Sequence, residues 1–166
     1  MDVSQAHIEL LQRMPLFGAV RGDILEFLLA RAPVVSVPRG QPFFLEGDPA
    51  DSMFVLERGG VTVTKTLQGR EHLLAELRAG DCFGEVALLD LQPRTASVTA
   101  IEDCVAIQLS SAVLFQLYER DLEQFTLIYM NMAKEIARRL RATDEHLFQL
   151  RAQCETFAGG DTFKCL

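Results

Sequence analysis

Apolar residues change their period twice along the chain. From 4 to 32 they recur at helical spacing, with Ile8, Leu10 and Leu11 on one segment and Ile24, Leu25, Phe27, Leu28 and Leu29 on a second. Met14-Pro15-Leu16-Phe17-Gly18 interrupts the two. Ser4 and Asp23 are the predicted N-caps, and Pro33 stops the second helix. From 33 to 109 the pattern shortens to β-rich runs: VVSV, PFFLE, MFVLE, GVTVTKT, EHLLAEL, ASVTA and CVAIQL. Turn segments such as PRGQP, GDPADS, RGG, LQG and RAGD separate them, the signature of an antiparallel sandwich or barrel.

Helical spacing returns at Ser110. SAVLFQLYERD predicts one helix, and a long one follows from about Leu122 to Gln153. Ile136, Leu140, Thr143, Leu147, Leu150 and Cys154 alternate at steps of four and three, a heptad seam that predicts pairing with a second copy. The other reading of the same seam is a helix facing its own core. The organisation read from these patterns has four parts: a helical segment 1–32, a β core 33–109, C-terminal helices 110–154 and a flexible tail 155–166.

The chain length, 166 residues, fits one such domain. With 16 Lys+Arg against 23 Asp+Glu the net charge is −7, which argues against direct DNA binding, where a basic face is needed. No apolar run is long enough for a membrane span, and the first residues lack the pattern of a signal peptide, so a cytoplasmic protein is expected. Cys82, Cys104, Cys154 and Cys165 are widely spaced, as are His7, His72 and His146. That spacing predicts no metal site, and the expected compartment predicts reduced thiols. No nucleophile–base pair stands out, and a non-enzyme is expected.

The candidate chemistry is concentrated in FGEVALLDLQPRTAS, 83–97. GEVALL predicts a helix of little more than one turn between two strands. Its first N–H groups and the positive end of its dipole would face whatever lies in front. Gly84 allows close approach to the backbone, and Arg94 offers a charged, planar fork of donors suited to phosphate. Glu85 can only accept, so hydroxyls or N–H groups suit it. A nucleotide with its phosphate folded against its sugar would satisfy both. A plain Glu85–Arg94 ion pair is the alternative.

The stretch resembles the phosphate-binding cassette of the cyclic nucleotide-binding domain family. The family's pattern is Phe-Gly-Glu, a short apolar helix, a loop, Pro-Arg, and small residues leading into a strand. PLFGAV near the start and VPRGQPFFLEGDPADSMFVLERGGVTV in the middle are similar to other family landmarks, so the resemblance covers about residues 8 to 150. It implies a mainly β, α+β fold: an antiparallel β jelly-roll barrel with N-terminal helices, an inserted phosphate-binding helix and two C-terminal helices. It implies cAMP or cGMP as ligand, bound by Phe83, Gly84, Glu85, Val86, Ala87, Arg94, Thr95 and Ala96.

The implied roles are specific. Glu85 accepts from the ribose 2′-hydroxyl, and Arg94 pairs with the cyclic phosphate. Backbone N–H groups near Ala87 and at Ala96 add to that contact, and the Gly84 backbone lies against the sugar. The Thr95 hydroxyl reaches the phosphate and keeps guanine in play beside adenine. The resemblance also implies a lid from the long helix, with residues between Tyr129 and Arg141 facing the base. It leaves three settings open: a free-standing receptor signalling to a twin or an unknown protein partner, a regulatory part of a longer protein, or a non-binding dimerisation module.

Overall fold

In the computed structural model, residues 5–158 are described, with side chains to 154. Two units are distinguished, 1–132 and 133–166.

The first unit opens with α1 (Gln5–Gln12), one 3₁₀ turn (Pro15–Phe17) and α2 (Gly22–Leu29). The predicted break at 14–18 is thus the 3₁₀ turn. The predicted cap at Asp23 is not the cap: Arg21 takes that place, and Asp23 lies in the first helical turn. The Asp23 carboxylate accepts from Arg21 Nε at 3.0 Å, so it is engaged with a side chain. Ser4 lies outside the described residues.

Eight strands follow: β1 (Val34–Val37), β2 (Pro42–Phe44), β3 (Ser52–Arg58), β4 (Gly60–Leu67), β5 (Arg70–Arg78), β6 (Cys82–Phe83), β7 (Ser97–Ala100) and β8 (Cys104–Ser110). They form two four-stranded sheets, ordered β1-β8-β3-β6 and β2-β7-β4-β5, with every pair antiparallel. The expected barrel is therefore realised as two sheets, the jelly-roll arrangement. The pattern of apolar runs did not show β6, because a two-residue strand has no period of its own.

Burial in β3 explains the layering. Met53 and Val55 join a cluster with the helices, through Phe17, Leu25, Leu28 and Leu117. Phe54 and Leu56, alternating with them, join Val61, Phe83, Val98 and Ala106 in a second cluster between the sheets. A strand covered on both faces reads as a continuous apolar run, which is why MFVL shows no alternation. β8 divides likewise, with Ile107 and Leu109 toward the helices and Cys104 and Ala106 toward the other sheet.

Between β6 and β7 lies α3 (Glu85–Asp90), the short helix expected from GEVALL. After β8 come α4 (Ser111–Arg120) and α5 (Leu122–Ala158). Ser110 caps α4 by accepting from the Val113 N–H at 3.3 Å. Asp121 sits between α4 and α5; its Oδ1 accepts from the Gln124 N–H at 3.0 Å and its Oδ2 from Arg21 Nη2 at 2.8 Å. Two turns beyond Gln124, the buried Asn131 amide donates to the carbonyls of Leu16 (3.1 Å) and Gly18 (2.9 Å). These bonds fasten the start of α5 to the 3₁₀ turn.

The second unit contains the remainder of α5, where Glu135 accepts from Arg138 and Arg139. Leu140, Leu147, Leu150 and Cys154 of the heptad seam are exposed in the single chain. The helix continues to Ala158, past Gln153 and into the expected tail. Residues 159–166, including Cys165, lie outside the described residues.

Candidate functional site

Arg94 is placed first by its backbone. Its N–H donates to the Asp48 carbonyl at 2.9 Å, and its carbonyl accepts from the Gly47 N–H at 2.8 Å. The turn that supplies these partners closes on itself, with the Leu45 N–H donating to Asp48 Oδ2 at 2.8 Å. Gly47 has φ +86, a conformation that glycine enters without strain. GDPADS therefore grips the arginine from the far end of β2.

The side chain turns inward and is 5 % exposed. Its Nη1 donates to the Gly84 carbonyl at 3.1 Å. Its Nε is buried and has no hydrogen-bond partner among the described residues. Burial pushes the guanidinium pKa below the ordinary arginine value; the carboxylates of Asp51, Asp48 and Glu85 oppose that from a distance. The group keeps its charge, because arginine starts so high. A buried cation whose donors are incompletely used is costly unless something else meets it.

Part of the answer lies beneath it. The Phe44 ring centroid is 4.0 Å from Arg94 Cζ, and that of Phe54 is 6.0 Å away. Phe43, Phe44, Phe54 and Phe83 form one aromatic group, with centroid separations from 4.9 to 6.1 Å. Phe43 and Phe44 are adjacent in sequence, so a regular strand would send them to opposite faces. A register shift between Pro42 and Phe44 lets both turn toward this cluster.

Gly84 closes the arrangement from the other side. It precedes α3 with φ +80. A Cβ there would stand 2.6 Å from Arg94 Nη1 and 3.3 Å from Phe44 Cε1, so only glycine leaves room for the guanidinium. Phe83, Glu85, Ala87 and Ala96 are buried. Val86 is 37 % exposed and Thr95 is exposed. Ser97 Oγ accepts from the Glu46 N–H at 2.9 Å, tying the start of β7 to the end of β2.

The structure thus brings Gly84 and Arg94 into contact and sets the Glu85 charge within reach of Arg94. The arginine takes a carbonyl and an aromatic face. Phe43, Phe44, Phe54 and the Gly47-Asp48 clamp were missed by sequence reasoning, which names only Phe83 of the aromatic group. Adjacent Phe43-Phe44 directly before a Gly-Asp turn was the available signal. Among the described residues no group of three or more His, Cys, Asp or Glu could hold a metal ion, and no helix is long and apolar enough to cross a membrane.

Residues 34–121 match the family model of the cyclic nucleotide-binding domain. The chain belongs to that family. It is 32 % identical over 143 residues to the CRP-like cAMP-activated global transcriptional regulator of Mycobacterium tuberculosis, covering 86 % of this chain and 62 % of that protein. The crystal structure of the Thermus thermophilus catabolite activator protein superposes with a TM-score of 0.72 at 33 % identity, covering 82 % of this chain and 63 % of that one. The N-terminal domain of a transcriptional regulator from Streptomyces coelicolor A3(2) gives a TM-score of 0.68 at 34 % identity, covering 82 % of this chain and 95 % of that one. This cyclic nucleotide-binding domain therefore spans under two thirds of the two longer proteins it resembles, and nearly all of the Streptomyces N-terminal domain.

Proposed function

We propose that the cassette binds a 3′,5′-cyclic nucleotide, cAMP or cGMP, and that binding is passed on through the C-terminal helices. The observation that carries the reading is Arg94, a buried guanidinium whose Nε has no partner among the described residues. An anionic oxygen is the partner such a group lacks, and the planar fork suits a phosphate. Buried Glu85 would accept from the ribose 2′-hydroxyl, and the backbone of Gly84, Ala87 and Ala96 would complete the contact. The mycobacterial relative is named for activation by cAMP, which supports cAMP as the first ligand to test. The exposed Thr95 hydroxyl keeps cGMP beside it.

Ligand can move α4 and α5 only through unequal affinity for two arrangements of them. Residues from 129 to 141 are those proposed to meet the base. Tyr129, at the near end of that range, is here packed beside Phe125 at a centroid distance of 4.3 Å. A homodimer through Leu140, Leu147 and Leu150 fits their exposure and heptad spacing. We read the domain as regulatory and not catalytic, signalling to its twin or to a further protein.

Calorimetric titration with cAMP, cGMP and 5′-AMP tests the proposal. The expected result is a micromolar or tighter dissociation constant for one cyclic nucleotide, about −8 kcal/mol, with little heat for 5′-AMP. Failure of folded, nucleotide-free protein to bind either cyclic nucleotide would overturn it.

A further inference from the structure

We infer that Phe44 is the positioning residue of the anion site: its ring face holds the Arg94 guanidinium where a carboxylate would otherwise hold it. The inference rests on Arg94 being the phosphate ligand.

A guanidinium has two kinds of surface. All five N–H donors lie along its edges, and its faces carry none. A carboxylate partner takes an edge, so it would compete with an incoming phosphate for the same donors. An aromatic ring offers its negative face to the flat of the cation and leaves the edges alone. Phe44 can therefore fix the position of the guanidinium at no cost in donors. The hydrogen bonding agrees: Nη1 is given to Gly84, while buried Nε is without a partner among the described residues.

Three further observations show a fitted assembly. The Phe44 ring is itself backed by Phe54, at 5.9 Å between centroids and 29° between planes. A Cβ on Gly84 would crowd both Arg94 Nη1 and Phe44 Cε1, so the three residues meet at one point. The two backbones that carry ring and cation are joined by the hydrogen bonds of Arg94 to Gly47 and Asp48. Phe44 is half-buried at the edge of the inter-sheet core, and apolar filling alone would accept leucine there.

The test compares wild type with Phe44→Leu, Phe44→Tyr and a series of progressively fluorinated phenylalanines at this position. Fluorination keeps the ring's shape and drains its face of negative potential. Each protein is titrated with cAMP and with cGMP by calorimetry. Phe44→Leu is expected to weaken binding about 2- to 30-fold, Phe44→Tyr to bind like wild type, and the fluorinated series to weaken stepwise. Separately, NMR of the nucleotide-free protein should show the Arg94 Nε–H resonance displaced by the ring current. That displacement should be lost in Phe44→Leu and kept in Phe44→Tyr.

If Phe44→Leu is poorly folded, the fluorinated series decides. Equal affinity across that series, or an undisplaced Arg94 resonance in wild type, overturns the role of Phe44 and leaves nucleotide binding standing. If wild type binds neither nucleotide, the binding proposal falls, and this inference falls with it.

Discussion

Arg94 Nη1 donates to the carbonyl of Gly84 at 3.1 Å, so the charged end of the arginine lies against the residue that starts the short helix α3. A neutral acceptor stands where a structural arginine would hold a carboxylate. The two roles of Arg94, folding and binding, should then separate under mutation. Arg94→Leu is expected to cost roughly 2–5 kcal/mol of nucleotide affinity. It should leave the melting temperature unchanged or higher, since an underused buried cation opposes folding. Calorimetric titration and thermal scans of the same sample decide this. Lost stability with intact binding would make Arg94 a structural residue.

Gly84→Ala imposes two penalties at one position. The φ of +80 belongs to a region that costs an L-residue about 1–2 kcal/mol. The new methyl would also stand 2.6 Å from Arg94 Nη1, forcing the guanidinium out. Stability should fall by about that strain, and affinity should fall with it. Chemical denaturation and titration measure the two. Wild-type affinity in Gly84→Ala would show that Arg94 needs no fixed position.

Asn131 offers a test of the fastening between α5 and the N-terminal turn. Asn131→Ala leaves the Leu16 and Gly18 carbonyls without their donor. A loss of about 1–3 kcal/mol is expected, read as a lower denaturation midpoint. A shift within error would mean that those carbonyls find water at no cost.

Asp121 should make the same junction sensitive to acid. Its carboxyl is held below the ordinary aspartate range, first by the Gln124 N–H and then by Arg21. A depressed folded pKa favours the folded state wherever the carboxylate is ionised in both states. That contribution is full above about pH 3.9, the ordinary aspartate value, and disappears as pH falls through the folded value. The difference in denaturation midpoint between wild type and Asp121→Asn should therefore be largest near neutrality and shrink on acidification through that window. A difference constant with pH would remove the charge from the explanation.

Leu140 and Leu147 are the positions at which pairing can be broken without touching the cassette. Both are exposed in the single chain, at 59 % and 46 %. Leu140→Asp or Leu147→Asp should halve the mass seen by light scattering if the seam joins two copies. An unchanged mass would take the seam out of self-association.

Much of this was legible because local pattern and local structure coincide. Short β-rich runs between turn residues located β1, β4, β7 and β8, and the 83–97 motif placed α3 between strands. Ser110 was readable as a cap because its partner is only three residues away. What stayed hidden depends on residues far apart in sequence. Nothing near Phe44 announces that Arg94 will lie on its ring, and nothing near Gly47 shows that it will bond the arginine's carbonyl. Asp23 was misplaced as a cap because propensity cannot see that the guanidinium of Arg21 claims its carboxylate. Glu85 and Arg94, both candidate site residues in the sequence, left an ion pair open, and only the packed structure shows the arginine meeting a carbonyl and a ring.

Two tight turns of the β core differ in what they would tolerate. At Gln68-Gly69, between the paired Leu67 and Arg70, the φ values of +52 and +75 match a two-residue hairpin turn, and nothing lies within 4 Å of where a Gly69 Cβ would be. Foreign sequence spliced into that tip would hang in solvent and leave the surroundings of Arg94 alone. The Gly47-Asp48 turn is the reverse, since both its residues hold the Arg94 backbone. For anyone grafting a fluorescent reporter onto this domain, the first turn is the place to cut and the second is where a cut would release Arg94.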